Sequence, residues 1–419
     1  MADRKPAPVT IPIRHGKLPR SNSIMGFLQL AGVAVVVLVL SAGSIAGYGI
    51  WSTISSIKPG IHLQHLKNEP APQIGSITGA VNLLLTGSDT RSDQSGFEDP
   101  ADLAGSSGIG NNDVTMVLHI SANHQHATVV SIPRDLLVSI PACQRSDGTV
   151  VGGTSMAMFN STLSRGGLSC TVLTAEKLTG LNIQYAAEIS FDGVIQMSDA
   201  VGGVTVCLAT NINDPYVNLN LAAGEHTIEG ATALAFLRSR HGVGDGSDLG
   251  RISDQQLFMS SLMRKISSSG VLTNPLTMYN LANAALKNMQ LSDTLTAPTT
   301  MIAIALALKN ISLNNIVFVQ WPTASNPAYP DRLVDSQPAD NILSTALDRD
   351  EVVTLAGTLG RATVTAPSNL ATPAPTPTAG ATATPAPTTA PGTTVALPSN
   401  VTGQTAAQQT CAVGFLQKG

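Results

Sequence analysis

Three arginines, Arg238, Arg240 and Arg251, fall within fourteen residues, in the runs Phe236-Leu-Arg-Ser-Arg240 and Asp248-Leu-Gly-Arg251-Ile-Ser-Asp254-Gln255-Gln256. Only 12% of the chain is charged, and a sparse charge set normally spreads over the surface to keep a protein soluble. Clustered guanidinium groups suit phosphate oxygens, which they grip in pairs while keeping their charge at any physiological pH. The same residues also read as ordinary surface ion pairs with Asp245, Asp248 and Asp254, which would contribute little.

The elements that present such a cluster follow from hydrophobic periodicity. The apolar run from Ala80 to Gly87 predicts a buried strand, and Ser88-Asp89-Thr90-Arg91 stands at its end, a usual place for a site in an open α/β sheet. Residues 92–112 are rich in Gly, Ser and Asp and predict a long loop. Val114–Ile120 and Ala127–Ile132 read as a β-hairpin. That hairpin would carry Asp113 and Pro133-Arg134-Asp135 to one end of the sheet, near Asp89. A helix is expected over Cys170–Thr179, ended by Gly180, then a strand over Tyr185–Ser190, a helix over Phe191–Ala200 and a strand over Val204–Leu208. A helix over Gly230–Leu237 would deliver Arg238 and Arg240. A further helix from Arg251 puts Arg251 and Gln255 on one face of its first turns, where backbone N–H groups also favour anions. The fold class is α/β: a mixed central sheet flanked by helices, in a sandwich.

Composition divides the chain. Residues 1–24 form a basic arm carrying Arg4, Lys5, Arg14, Lys17 and Arg20. No charged side chain occurs from Ser21 to Ile57, and residues 25–51 are expected to form one uncleaved transmembrane anchor in the cell membrane, with the N-terminus cytoplasmic and the body extracytoplasmic. Residues 52–79 read as a linker, 80–360 as the catalytic body, 361–404 as a disordered Thr/Pro/Ala-rich linker, and 405–419 as a coda holding Cys411. The net charge of −4 argues against a non-specific nucleic-acid partner. Four cysteines without a C-x-x-C pair allow two bridges in three connectivities. Cys143 with Cys170 is favoured, closing a loop worth about 3 kcal/mol in the chain-entropy model. Cys207 with Cys411 then follows by elimination, and buried free thiols are the competing reading.

Five segments in order resemble the LytR-CpsA-Psr proteins of Gram-positive envelopes, actinobacterial type: Gly87-Ser-Asp-Thr-Arg91, Asn112-Asp-Val-Thr-Met116, Ser131-Ile-Pro-Arg-Asp135, Phe236-Leu-Arg-Ser-Arg240, and Asp248-Leu-Gly-Arg251 with Gln255-Gln256. The resemblance spans roughly Ala80 to Ile266. It implies a membrane-anchored, Mg²⁺-assisted phosphotransferase that moves a glycopolymer from an undecaprenyl pyrophosphate carrier to peptidoglycan, with the lipid bilayer as a further partner. Asp89 and Asp113 become the candidate metal ligands; Arg91, Arg134, Arg238, Arg240, Arg251 and Gln255 the phosphate clamp; and Arg134, Asp135 and Asp248 the catalytic set, either aspartate serving as base. The chain departs from the family pattern at Asn111 and Asn112, where Arg or Lys often precedes the motif aspartate, and at Asp254, where Arg often stands. Other readings are a polyprenyl-phosphate-binding module without turnover and a membrane-linked transcriptional attenuator. An elongated apolar pocket near Arg238 and Arg240 is expected of a lipid-carrier enzyme.

Overall fold

Strand β1 (Val81–Ser88) sits inside a seven-stranded mixed sheet, and its alternating side chains define both faces. The other strands of this sheet are β2 (Asn112–Ile120), β3 (Ala127–Ser131), β4 (Tyr185–Ile189), β7 (Met289–Leu291), β8 (Ile316–Gln320) and β10 (Gly403–Thr405), in the order β7-β4-β1-β2-β3-β8-β10. Register aligns Ala186, Leu84, Val117, Val130 and Val319 in one row across the sheet. All five belong to a single apolar cluster with Leu168, Val172 and Leu343, contributed by helices α1 (Ser161–Thr179) and α7 (Ala339–Asp348). The neighbouring row of Tyr185, Leu83, Leu118, Val129 and Phe318 faces the opposite way. It packs with Leu286 and Ile304, from helices α5 (Pro275–Asn288) and α6 (Pro298–Lys309). The period of two thus produces the expected sandwich, helices on both faces of a mixed sheet.

A second, four-stranded sheet has the order β6-β5-β11-β9, from β5 (Val204–Leu208), β6 (Gly224–Ile228), β9 (Thr363–Thr365) and β11 (Thr410–Ala412). Its core joins Val204, Val206 and Leu208 to Phe236 on helix α3 (Gly230–Arg238) and to Leu257 and Phe258 on helix α4 (Asp248–Ser268). Helix α2 (Phe191–Ala200) begins at Ser190, whose hydroxyl accepts the Gly193 N–H as a cap.

This architecture comes from a computed structural model that describes scattered residues within 27–44 and residues 58–65, 79–95, 108–268, 275–367 and 393–415. The chain divides into two compact units, Met1–Ser56 and Ile57–Gly419. The expected transmembrane helix over 25–51 is corrected: among the described residues no helix is long and apolar enough to cross a membrane. A span needs about twenty consecutive helical residues, and the helical positions described between 27 and 44 form no such stretch; the other residues of 25–51 lie outside those described. The single-pass topology, with a cytoplasmic arm and an extracytoplasmic body, is withdrawn with it.

The bridges Cys143–Cys170 and Cys207–Cys411 are both formed. The expected linker over 361–404 is narrower than its composition suggests. Residues 368–392 lie outside those described, but Thr363–Thr365 pairs with Thr410–Ala412, and Thr394–Leu397 pairs with Val352–Leu355. Helix α1 starts nine residues earlier than expected, with Gly166 and Gly167 breaking its helical conformation midway.

Candidate active site

The sheet gathers the site because β2 runs antiparallel to β1 and β3 while β4 runs parallel to β1. The end of β1, the start of β2, and the ends of β3 and β4 lie at one edge, where Gly87 is registered with Val114 and Ile189, and Met116 with Ser131. Those termini carry Asp89, Asp113, Arg134 and Phe191. Asp89 is turned by the returning loop: its Oδ1 accepts the Asn111 N–H at 2.6 Å. Gly110 makes this possible, since at its φ of 74° an added Cβ would lie 2.6 Å from the Thr90 nitrogen and 2.7 Å from Asp89 Oδ1.

Asp89, Arg91, Asp113, Arg134, Arg238, Arg240, Arg251 and Gln255 line one cavity of about 410 Å³. The rest of its wall is largely apolar and includes Leu85, Met116, Phe191, Val194, Phe258 and Leu262. Five guanidinium groups against two carboxylates leave this lining with three net positive charges. The expected apolar pocket beside Arg238 and Arg240 is therefore present.

Asp113 and Asp248 hold the arginines. Arg134 Nη1 donates to Asp113 Oδ1 at 2.7 Å, and Arg251 reaches Asp113 Oδ2 at 3.5 Å while donating to the Asp113 carbonyl at 2.7 Å. Asp248 Oδ1 lies 2.7 Å from Arg251 Nη2, 3.1 Å from Arg134 Nε and 4.0 Å from Arg240 Nε. These Asp248 contacts are ion pairs without hydrogen-bond alignment: the Nε atoms of Arg134, Arg240 and Arg251 are buried and have no hydrogen-bond acceptor among the described residues. Buried N–H donors in that condition are suited to an anion. Arg238 stacks on Phe191, its guanidinium carbon 4.3 Å from the ring centre, and Gln255 donates to the Leu237 carbonyl at 3.1 Å.

Burial would raise the Asp113 carboxyl, but Arg251 and Arg134 outweigh it and hold the group below its ordinary value. Burial and neighbouring positive charge lower both Arg238, beside Arg91, and Arg240, beside Arg134. Burial also raises Asp135, opposed by Arg134, whose Nε lies 3.7 Å away.

Asp135 and Asp248, expected as catalytic residues, are not part of the cavity wall. Asp248 is 7% exposed and sits behind three arginines, Asp135 beside one. The family departures also lie off the wall. Asn112 is fully buried, its Oδ1 accepting Thr162 Oγ1–H and Leu163 N–H and its amide donating to Thr115. Asn111 accepts from the Ser164 hydroxyl. Asp254 is completely buried with no hydrogen-bond partner among the described residues, and burial pushes its carboxyl well above the usual range.

Sequence reasoning missed Asp214. Its carboxylate, fully buried, accepts Ser239 Oγ–H at 2.8 Å, Arg240 N–H at 3.0 Å and Gly242 N–H at 3.1 Å, and so fixes the turn that carries Arg240. It ends the short strand Ile212–Asp214, which pairs with Leu219–Leu221, and only the following Pro215 hinted at an Asp-initiated turn.

Fold and site together define a mixed-sheet α/β protein with a cavity at one sheet edge whose wall joins five arginines to a largely apolar surface. The chain belongs to the LytR_cpsA_psr family, whose model matches residues 52–354. It is 30% identical over 344 residues to the cell wall biosynthesis protein LcpA of Corynebacterium glutamicum, covering 77% of this chain and 64% of that protein. It thus spans less than two thirds of that relative's length. Over 249 residues it is 27% identical to the polyisoprenyl-teichoic acid–peptidoglycan teichoic acid transferase TagU of Bacillus cereus, covering 59% of this chain and 72% of that protein. Protein gbs0355 of Streptococcus agalactiae shares the fold, with a TM-score of 0.52 and 22% identity over 65% of this chain and 88% of that one.

Proposed function

We propose that this chain transfers a glycopolymer phosphate from a polyprenyl pyrophosphate carrier to peptidoglycan. The observation that carries the reading is one cavity with two chemistries: five guanidinium groups beside an apolar wall. A pyrophosphate bearing a lipid on one side needs both. The TagU relative, a polyisoprenyl-teichoic acid–peptidoglycan transferase by name, supports the same reaction class.

Arg91, Arg134, Arg238, Arg240 and Arg251, with Gln255, hold the pyrophosphate oxygens, and the apolar wall takes the prenyl chain. An acceptor sugar hydroxyl attacks the phosphorus bearing the glycopolymer. The new P–O bond forms as the bond to the prenyl phosphate breaks, and the prenyl monophosphate leaves with the electron pair. The fixed arginines neutralise charge on the oxygens in transit. Neither expected base, Asp135 or Asp248, lines the cavity; of the two, Asp135 is ion-paired to one arginine, Arg134. Burial raises its carboxyl, whereas Asp248 faces three arginines.

Among the described residues no group of three or more His, Cys, Asp or Glu could hold a metal ion. Mg²⁺ needs no such cage, since it takes one or two carboxylates and completes its shell with phosphate oxygens and water. The donor set on the wall fits that habit. Asp89 would hold the ion, with Asp113 as the second carboxylate, and bound Mg²⁺ would supply further charge neutralisation at the pyrophosphate. The test is transfer from a synthetic prenyl-pyrophosphoryl sugar to peptidoglycan fragments, with and without EDTA. Product formation that stops on chelation and returns with Mg²⁺ is expected. Carrier binding with no product under any condition would leave the non-catalytic lipid-binding module instead.

A further inference from the structure

Two aromatic rings stand next to the clamp and take no part in the core. Tyr216 is 78% exposed, His241 is exposed, and their ring centres are 4.5 Å apart with the planes inclined by 40°. Scattered exposed aromatics are common and need no explanation. This pair differs because its backbone is anchored on both sides by one buried carboxylate. Asp214 Oδ1 accepts the Tyr216 N–H at 3.1 Å, while Oδ2 accepts the Arg240 and Gly242 N–H groups on either side of His241. Gly242 permits the close approach, since a Cβ there would lie 2.7 Å from Asp214 Cβ and 2.9 Å from the Asn213 carbonyl. The chain neighbours Val217 and Arg240 both line the cavity. The backbone that carries the two rings is thus fixed beside residues of the cavity wall, and His241 is one residue from a phosphate-binding arginine.

We infer that Tyr216 and His241 form a shelf for a sugar ring of the substrate, and that Asp214 is the positioning residue that sets shelf and Arg240 together. This deepens the proposed function and rests on it. A pyranose presents one face of C–H groups, which packs on an aromatic plane, while the Tyr hydroxyl and imidazole nitrogens meet ring hydroxyls at the edge. Either the donor's first sugar or the acceptor's could occupy it, as both must lie next to the reacting phosphorus.

The test measures binding of three probes to the full chain by titration calorimetry: geranyl pyrophosphate, its N-acetylglucosaminyl derivative, and the disaccharide N-acetylglucosaminyl-N-acetylmuramic acid. The variants are Tyr216→Ala and the double variant with His241→Ala, both at exposed positions. A roughly five- to tenfold loss for the sugar-bearing pyrophosphate, with geranyl pyrophosphate unchanged, supports a donor shelf. The same loss confined to the disaccharide supports an acceptor shelf. Variants that bind all three probes as the parent does overturn the shelf and leave the clamp standing. A parent chain that fails to bind geranyl pyrophosphate counts against the proposed function, and the disaccharide arm still decides the shelf.

Discussion

Asp248 Oδ1 and Arg251 Nη2 lie 2.7 Å apart, one helical turn from each other, with the two side chains 7% and 4% exposed. Because the same oxygen also faces Arg134 and Arg240, Asp248 is the counter-charge that lets three guanidinium groups share a buried wall. Removing one partner of a buried pair leaves the other uncompensated. Asp248→Ala is therefore expected to cost about 3 kcal/mol of stability, read as a lower urea midpoint at unchanged m-value. An unshifted midpoint would show that the arginines do not depend on it.

Arg240→Ala should behave differently, because burial and the repulsion of Arg134 and Arg251 oppose its charge more than Asp248 and Asp135 favour it. Its loss should leave the midpoint nearly unchanged and reduce transfer roughly 10²-fold, the scale for removing one preorganised charge-stabilising group. Transfer at the parental rate would remove Arg240 from the clamp.

Two aspartates, half-buried Asp113 and fully buried Asp254, should give opposite pH dependences. Asp113 is held below its ordinary value near 3.8. The stability it contributes is complete above that value and is lost as pH falls through the depressed folded one. Asp254 is raised well above the same value. The unfolded chain releases its proton before the folded one does, so its effect is a penalty that grows as pH rises from about 3.8 to the folded value. Asp254→Asn should thus stabilise the protein at pH 7 and much less at pH 3.5, whereas Asp113→Asn should flatten the acid limb. Urea midpoints across pH 3 to 8 check both, and equal gains for Asp254→Asn at the two ends would contradict its assignment.

The Cys207–Cys411 bridge spans 204 residues and should contribute about 5 kcal/mol by limiting the unfolded chain. Cys207→Ala with Cys411→Ala should lower the melting temperature by more than Cys143→Ala with Cys170→Ala, whose separation is 27 residues. Calorimetry of the two double variants decides the order.

What the sequence disclosed follows from periodicity and from arginine chemistry. Two strand-like runs, Val114–Ile120 and Ala127–Ser131, joined by a short polar connection suffice for the hairpin, and Gly180, at φ 79°, ends its helix as its type suggests. The convergence of Asp89, Asp113, Arg134, Arg238 and Arg240 was legible because each lies at the end of an element. Asp135 and Asp248 were harder to place. Motif membership cannot distinguish a carboxylate that lines a cavity from one that holds the lining in position, a difference made only by packing depth. Asp214 was illegible for a related reason, since its ligands are backbone N–H groups that no residue type announces. The anchor over 25–51 was read from hydropathy and the basic residues before it, whereas among the described residues no helix is long and apolar enough to cross a membrane.

The strand Thr410–Ala412 lies inside the second sheet, beside Val204–Leu208 and Thr363–Thr365. During synthesis, every earlier segment of that layer leaves the ribosome with a gap where this strand belongs. The layer behind Arg238, Arg240 and Arg251 can close only once residues 410–412 have emerged, a contact of long sequence separation and hence slow to form. Until then Val204–Leu208 is paired on one side only, with Gly224–Ile228, and the nascent chain exposes its other edge. A released chain truncated just before residue 410 should therefore be protease-sensitive in residues 204–268 although every strand of its first sheet, through Gly403–Thr405, is present.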